Sequence, residues 1–119
     1  MADFLTDKAV DFITRHKDQP FFLYLPLTAP HTPISVAEPW RGKSNLNDYA
    51  DFVMQTDDTV GRVLAELDRH GLAENTLVIF TSDNGCSPSA NYPELLAKGH
   101  NPSDKFRGTK SDIWEGGHR

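Results

Sequence analysis

The sequence predicts an α/β fold, a segment of a largely parallel sheet flanked by helices. Three observations carry that expectation. Helical apolar patterns recur near residues 3–16 and 46–70, each is followed by a short continuous apolar run, and a polar loop follows each run. Helix, strand, helix, strand at this spacing makes the two strands parallel neighbours. Open sheets of that kind place their ligands beyond the C-terminal strand ends, so the two polar loops are the first places to look for chemistry.

The elements follow in order. Asp3 can cap a first helix running to about His16, with Phe4, Leu5, Ala9, Phe12 and Ile13 on one face. Arg15, His16 and Lys17 lie at its end, where positive charge suits the helix dipole. After the break at "DQP", the run "FFLYLPL" (Phe21–Leu27) reads as a buried strand of a sheet covered on both faces. Pro30, Pro33, Pro39 and Gly42 mark the next stretch as loop. A long helix is then expected from about Leu46 to His70. Its stripe is Tyr49, Phe52, Val53, Val60, Val63, Leu64 and Leu67, and Gly71 terminates it. Leu77–Ser82 is the second expected strand, and Tyr92–Lys98 carries a weak helical pattern.

Composition narrows the function classes. The 119 residues suffice for one modest core, and 38% hydrophobic with 24% charged residues is ordinary for a globular chain. A net charge of −5 argues against general nucleic-acid binding, which needs clustered positive charge. No stretch has the length of a membrane span, and "MADFLTDKAVDF" lacks the basic and apolar regions of a signal peptide. The single cysteine, Cys86, excludes an internal disulfide. The chain opens almost directly in a helix and stops at "WEGGHR", which suggests a segment of a larger protein.

Three short stretches offer chemistry. In "TSDNG", Asp83 and Asn84 present a carboxylate and an amide oxygen at a strand end, a donor pair suited to a hard cation such as calcium or magnesium. The same residues are also common turn formers. In "APHTP", His31 sits between two prolines, so its ring is held in a stiff loop and can give a proton or bind an anion; packing against the prolines is the plainer alternative. In "FRGTKSDIWEGGHR", Lys110 is placed to reach an anion, although most lysines are simply solvated.

In combination and order, "PHTP", "SDNG" and "K-x-x-x-x-EGG-x-R" resemble the sulfatase family, in the middle of an arylsulfatase-type catalytic domain. "QTDDTVGRVLAELD" and "LAENTLVIFTSDNG" extend the likeness over essentially the whole chain. The resemblance implies an alkaline-phosphatase-like α/β sandwich, of which residues 1–119 form a partial domain. It implies that Asp83 and Asn84 are ligands of a divalent cation, usually Ca2+ with Mg2+ possible. His31 would contact the sulfate or protonate the leaving oxygen, and Lys110 would bind a sulfate oxygen. The implied substrate is a sulfated small molecule or carbohydrate. Relatives are often secreted, periplasmic or lysosomal.

The family's nucleophile is a formylglycine made from the cysteine of Cys-x-Pro-x-Arg. "CSPSA" matches the first part, but Ala90 stands where arginine is required, and Cys86 follows the PHTP histidine instead of preceding it. Formylglycine is therefore expected in the parent protein and not in this chain, and the isolated chain is expected to be inactive. Two alternatives stand beside this reading. One is a phosphatase or phosphodiesterase of the same superfamily, and the other is a non-catalytic module that binds an anion or a partner. A slice of a sheet would also leave "FFLYLPL" and "LVIF" uncovered and prone to self-association.

Overall fold

The structure, a computed structural model, describes residues 2–119. Two helices form its frame, α1 (Ala2–His16) and α2 (Asp48–Arg69), packed against each other. Two short helices follow, α3 (Tyr92–Ala97) and α4 (Glu115–His118), and 3-10 turns form at Glu38–Trp40, Ala73–Asn75 and Pro88–Ala90. Asp3 lies inside the first turn of α1 and not at its cap, where its carboxylate still complements the helix dipole. At the start of α2, Asn47 is the cap, its side-chain oxygen accepting from the Ala50 N–H at 3.0 Å. Gly71 ends the helix with φ +68°, a backbone region that favours glycine.

The α1–α2 seam differs from the apolar stripe expected. Ala9, Ile13, Phe52 and Leu67 are buried, but so are Thr6, Asp51, Gln55, Thr59 and Glu66. Each polar group has a partner, as burial demands. Thr6 bonds Thr59 at 3.0 Å, and Thr14 donates to Glu66. Gln55 accepts from the Ala37 N–H at 3.0 Å, and Asp51 accepts from the Gly42 and Ser44 N–H groups at 2.6 and 2.7 Å. The last three bonds tie the loop that follows His31 to α2. Arg69, then the Thr14 hydroxyl and His70, hold the Glu66 carboxyl down at about 2. Val53 and Leu64, expected in the buried stripe, lie exposed on the opposite face.

The two expected strands and their parallel sheet do not form among the described residues. Phe21, Leu23, Leu25 and Leu27 are half-buried, while Phe22 and Tyr24 are 88% and 76% exposed. This period of two is the burial pattern of a strand covered on one face, not two. The covered face meets the helices: the Phe21 ring stands edge-on to Phe12, and Leu27 lines a small cavity with Leu5 of α1 and Thr56 and Thr59 of α2. Leu77, Ile79 and Phe80 are exposed throughout. A ladder needs a neighbouring strand on the hydrogen-bonding edge, and no described segment supplies one to either run.

A second small core joins the start of α2 to the segment after the polar turn. Ala50, Ala90 and Leu95 are buried there, with Leu46, Tyr49 and Cys86 packed around them. The Asn47 side chain donates to the Ala90 carbonyl at 3.0 Å, and Lys98 donates to the Leu46 carbonyl. α2 thus fixes residues 83–98 at its N-terminal end and the loop after His31 along its side.

Candidate functional site

The site is built from backbone first. The turn at residues 83–86 lies against the C-terminal segment, with the Gly85 N–H donating to the Gly117 carbonyl at 3.1 Å and the Lys110 N–H donating to the Cys86 carbonyl at 2.9 Å. Such close approach requires glycine. A Cβ added at Gly85 would stand 1.9 Å from the Gly116 oxygen, and one at Gly116 would stand 2.3 Å from the Gly108 oxygen. One at Gly117 would stand 2.2 Å from the Asp112 oxygen. The "EGG" stretch forms the short helix α4, and both glycines are buried.

This packing brings Asp83 and Asn84 onto the same scaffold as Lys110. The Asn84 amide nitrogen donates to the Gly85 carbonyl at 2.9 Å, which leaves its Oδ1 as a free acceptor. Asp83 is exposed, and its carboxylate has no hydrogen bond or ion pair among the described residues. Lys110 is half-buried and likewise forms no ion pair among them. The neighbouring arginines are engaged elsewhere. Arg107 lies 3.9 Å over the Trp114 ring, while Arg119 lies 4.9 Å over Phe106 and bonds Glu115. Lys110 is therefore the cation available to an anion here.

His31 is exposed, and its Nδ1 lies 2.8 Å from the Thr32 carbonyl. A carbonyl only accepts, so that contact assigns the hydrogen to Nδ1 and leaves Nε2 for a ligand. No hydrogen bond, ion pair or ring contact joins His31 to Asp83, Asn84 or Lys110 among the described residues. The structure therefore ties Lys110 by its backbone to Cys86, two residues beyond Asn84, while no such bond ties the loop of His31 to either segment among the described residues. No group of three His, Cys, Asp or Glu side chains that could hold a metal occurs among the described residues. Asp83 and Asn84 suit a hard cation by their oxygen chemistry, yet supply only two of the six to eight oxygens that calcium takes.

Cys86 takes a structural part. Its side chain packs in the Ala50–Ala90–Leu95 core, and burial pushes the thiol up, against a smaller opposite pull from the Tyr49 hydroxyl. Burial first, and then the bond to Cys86, also raise the Tyr49 phenol. A thiol held neutral in this way is a packing group and a poor nucleophile. Sequence reasoning missed Asp112, whose backbone and carboxylate both bond Thr109 next to Lys110. The spacing Thr109-x-x-Asp112 was the available signal, a side chain returning to a backbone N–H three residues earlier.

A protein-family model described as Sulfatase matches residues 1–119. The chain belongs to the sulfatase family. Among curated relatives, it is 38% identical over 122 residues to the N-acetylgalactosamine-6-O-sulfatase of Bacteroides thetaiotaomicron, covering 100% of this chain and 24% of that protein. It is 42% identical over 118 residues to the steryl-sulfatase of Rattus norvegicus, covering 97% of this chain and 20% of the relative. A solved structure from work on glycosaminoglycan metabolism by Bacteroides thetaiotaomicron superposes with a TM-score of 0.89 at 38% identity, over 99% of this chain and 25% of that one. The Ps i-CgsB structure in complex with k-i-k-neocarrahexaose gives 0.78 at 33% identity, over 99% and 26%. This sulfatase chain thus has the local fold of sulfatase structures and spans about a quarter or less of these relatives. Membership implies a metal ion and a formylglycine in the parent protein. No helix among the described residues is long and apolar enough to cross a membrane.

Proposed function

We propose that this chain carries part of the cation- and sulfate-binding pocket of a sulfuric ester hydrolase, and that the 119 residues alone do not turn over substrate. The observation supporting this most is the glycine-packed pairing of residues 83–86 with 107–117, which sets two unpartnered oxygen donors and an unpaired ammonium on one scaffold. In this reading Asp83 and Asn84 hold a divalent cation, Ca2+ by preference and Mg2+ as the second choice, completed by ligands from outside residues 1–119. The formylglycine of the parent supplies the nucleophile when present.

The chain's own residues then act as follows. A sulfate ester brings negative oxygens, and Lys110 binds one of them, offsetting charge on the sulfuryl group as the S–O bond breaks. His31, its Nδ1–H donated to the Thr32 carbonyl, presents Nε2 to the sulfate or to the leaving oxygen; in the imidazolium form, with a second proton on Nε2, it gives that proton to the leaving oxygen and is left as the Nδ1–H neutral ring. The substrate is a sulfated small molecule or carbohydrate, the class named by the N-acetylgalactosamine-6-O-sulfatase and steryl-sulfatase relatives. The runs 21–27 and 77–82 pair with other strands of the parent as part of its largely parallel sheet, consistent with the one-sided burial of the first.

The test compares the full-length gene product with the isolated 119 residues on 4-nitrophenyl sulfate and 4-nitrophenyl phosphate. The full-length protein should cleave the sulfate preferentially, lose that activity to a chelator, and regain it with calcium. Lys110→Ala and Asp83→Ala should each cost at least two orders of magnitude, the scale of losing a charge-stabilising group. Preferential phosphate hydrolysis would move the protein to the phosphatase side of the superfamily. Robust turnover by the isolated chain would overturn the division of labour proposed here.

A further inference from the structure

We propose that Asp112 is a positioning residue that sets the direction of Lys110 towards a bound sulfate oxygen, an inference that rests on the sulfate-binding part assigned to Lys110 above. Lys110 sits second in a tight turn from Thr109 to Asp112, closed by the Asp112 N–H donating to the Thr109 carbonyl at 2.9 Å. The Asp112 carboxylate closes the same turn from the other side, accepting from the Thr109 N–H at 2.8 Å. Ser111, third in the turn, has φ +79°, a left-handed conformation that an L-residue adopts only where its surroundings hold it. The turn is therefore strained at one residue and locked at both ends by another.

Asp112 also anchors the turn to the rest of the site. Its carboxylate and Cβ lie over Gly108, 3.0 and 3.1 Å from where a Cβ there would stand, and its carbonyl lies against Gly117. On the other side of the turn, the Lys110 N–H reaches the Cys86 carbonyl, two residues beyond Asn84. The Asp112 side chain thus closes the lysine turn and covers Gly108, its backbone meets Gly117, and the Lys110 N–H joins that turn to the segment that carries the oxygen donors. The carboxylate makes no ion pair, so it does not neutralise the Lys110 ammonium. Its job is to accept a backbone hydrogen bond, which an uncharged amide oxygen can also do.

That distinction makes the inference testable. In the full-length protein, Asp112→Ala should lower kcat/KM for 4-nitrophenyl sulfate about tenfold, the scale of one lost hydrogen bond that positions a charged group. Asp112→Asn should stay within about threefold of wild type, because the acceptor survives. On a Lys110→Ala background, Asp112→Ala should add no further loss, since it acts through the lysine. The second readout is independent of turnover: acetic anhydride labelling of Lys110, read by peptide mass spectrometry with and without inorganic sulfate. Sulfate should protect Lys110 in the wild type and in Asp112→Asn but not in Asp112→Ala.

Equal loss for Asn and Ala, or an undiminished Ala effect on the Lys110→Ala background, would overturn the inference and make Asp112 electrostatic or merely structural. A wild-type protein inert towards sulfate esters would refute the proposed function, and the labelling would still decide the inference. Protection unchanged by Asp112→Ala refutes it. Should Asp112→Ala not fold, Asp112→Leu, which also lacks an acceptor, is measured in its place, with the same outcomes.

Discussion

Gly85→Ala should dismantle the site without touching any group proposed to meet substrate or metal. The added methyl would sit 1.9 Å from the Gly116 oxygen, 2.8 Å from its carbon and 3.0 Å from the Arg119 oxygen, all of them backbone atoms. A carbon and an oxygen in contact need more than 3 Å, so one segment must retreat by over an ångström. Two bonds span that boundary, from Gly85 to Gly117 and from Lys110 to Cys86, at 3.1 and 2.9 Å. Losing both costs about 1 kcal/mol each. The overpacking strain adds about 1–3 kcal/mol if the segments stay together. Since the segments can escape strain only by parting, the expected cost is about 2–3 kcal/mol of local stability, roughly a 30- to 150-fold rise in the open population. Hydrogen exchange at the Gly85 and Lys110 amides of the full-length protein reads this directly. Both amides should lose protection while those of α1 and α2 keep theirs. Retained protection at Gly85 and Lys110 would refute the claim that glycine packing builds the site.

Two other substitutions follow from the frame. Gly61 lies inside α2 with nothing within 4 Å of an added Cβ, so Gly61→Ala should stabilise the protein by about 0.5–1 kcal/mol, measured by denaturant melts. The Glu66 carboxyl falls from 4.5 to about 2 on folding, chiefly through Arg69 and then Thr14. A lowered carboxyl pKa contributes stability that is fully present above about pH 4.5 and lost as pH falls towards 2. Glu66→Gln should therefore flatten the acid side of the stability–pH profile, and an unchanged slope would remove Glu66 as its source.

Helix ends were legible because their signals are local. Gly71 at the end of α2 and basic residues at the end of α1 act within a turn of their own backbone. Asp83, Asn84 and Lys110 stand out in the sequence as residue types in a recognisable order, and the bonds from Gly85 to Gly117 and from Lys110 to Cys86 lie beside them. The polar seam of α2 was not legible. Asp51, Gln55, Thr59 and Glu66 look like a solvated face until Gly42, Ala37, Thr6 and Thr14 arrive from elsewhere to satisfy them. Placing apolar Val53 and Leu64 inside followed from the same rule of thumb and failed for the same reason. The sheet is absent from the described residues because apolar runs announce burial, whereas a ladder depends on a second strand that no local pattern supplies. Cys86, expected to lack the nucleophile's part, packs beside Ala90 and Leu95 in a small core that no local pattern announces.

The open surface itself leads to a further prediction. A packed chain of 13.3 kDa should expose about 6,500 Å² with a radius of gyration near 13.5 Å, whereas this one exposes 8195 Å² at 16.1 Å. The excess of about 1,700 Å² is the size of a standard stable protein interface. Much of it is apolar and borne on runs with unpaired backbone, at Phe22, Tyr24, Leu77, Ile79 and Phe80. Unpaired edges beside apolar faces recruit further strands, and in a solution of this chain alone the only source is another copy. The isolated 119 residues should therefore sediment as dimers or larger species at micromolar concentration. Joint replacement of Phe22 and Phe80 by Asp should shift them towards monomer, because each charge would have to be buried without a partner in the associated state. A wild-type chain that sediments as a monomer would show that these surfaces tolerate water, and the proposed pairing of both runs within a parent sheet would lose its physical motive.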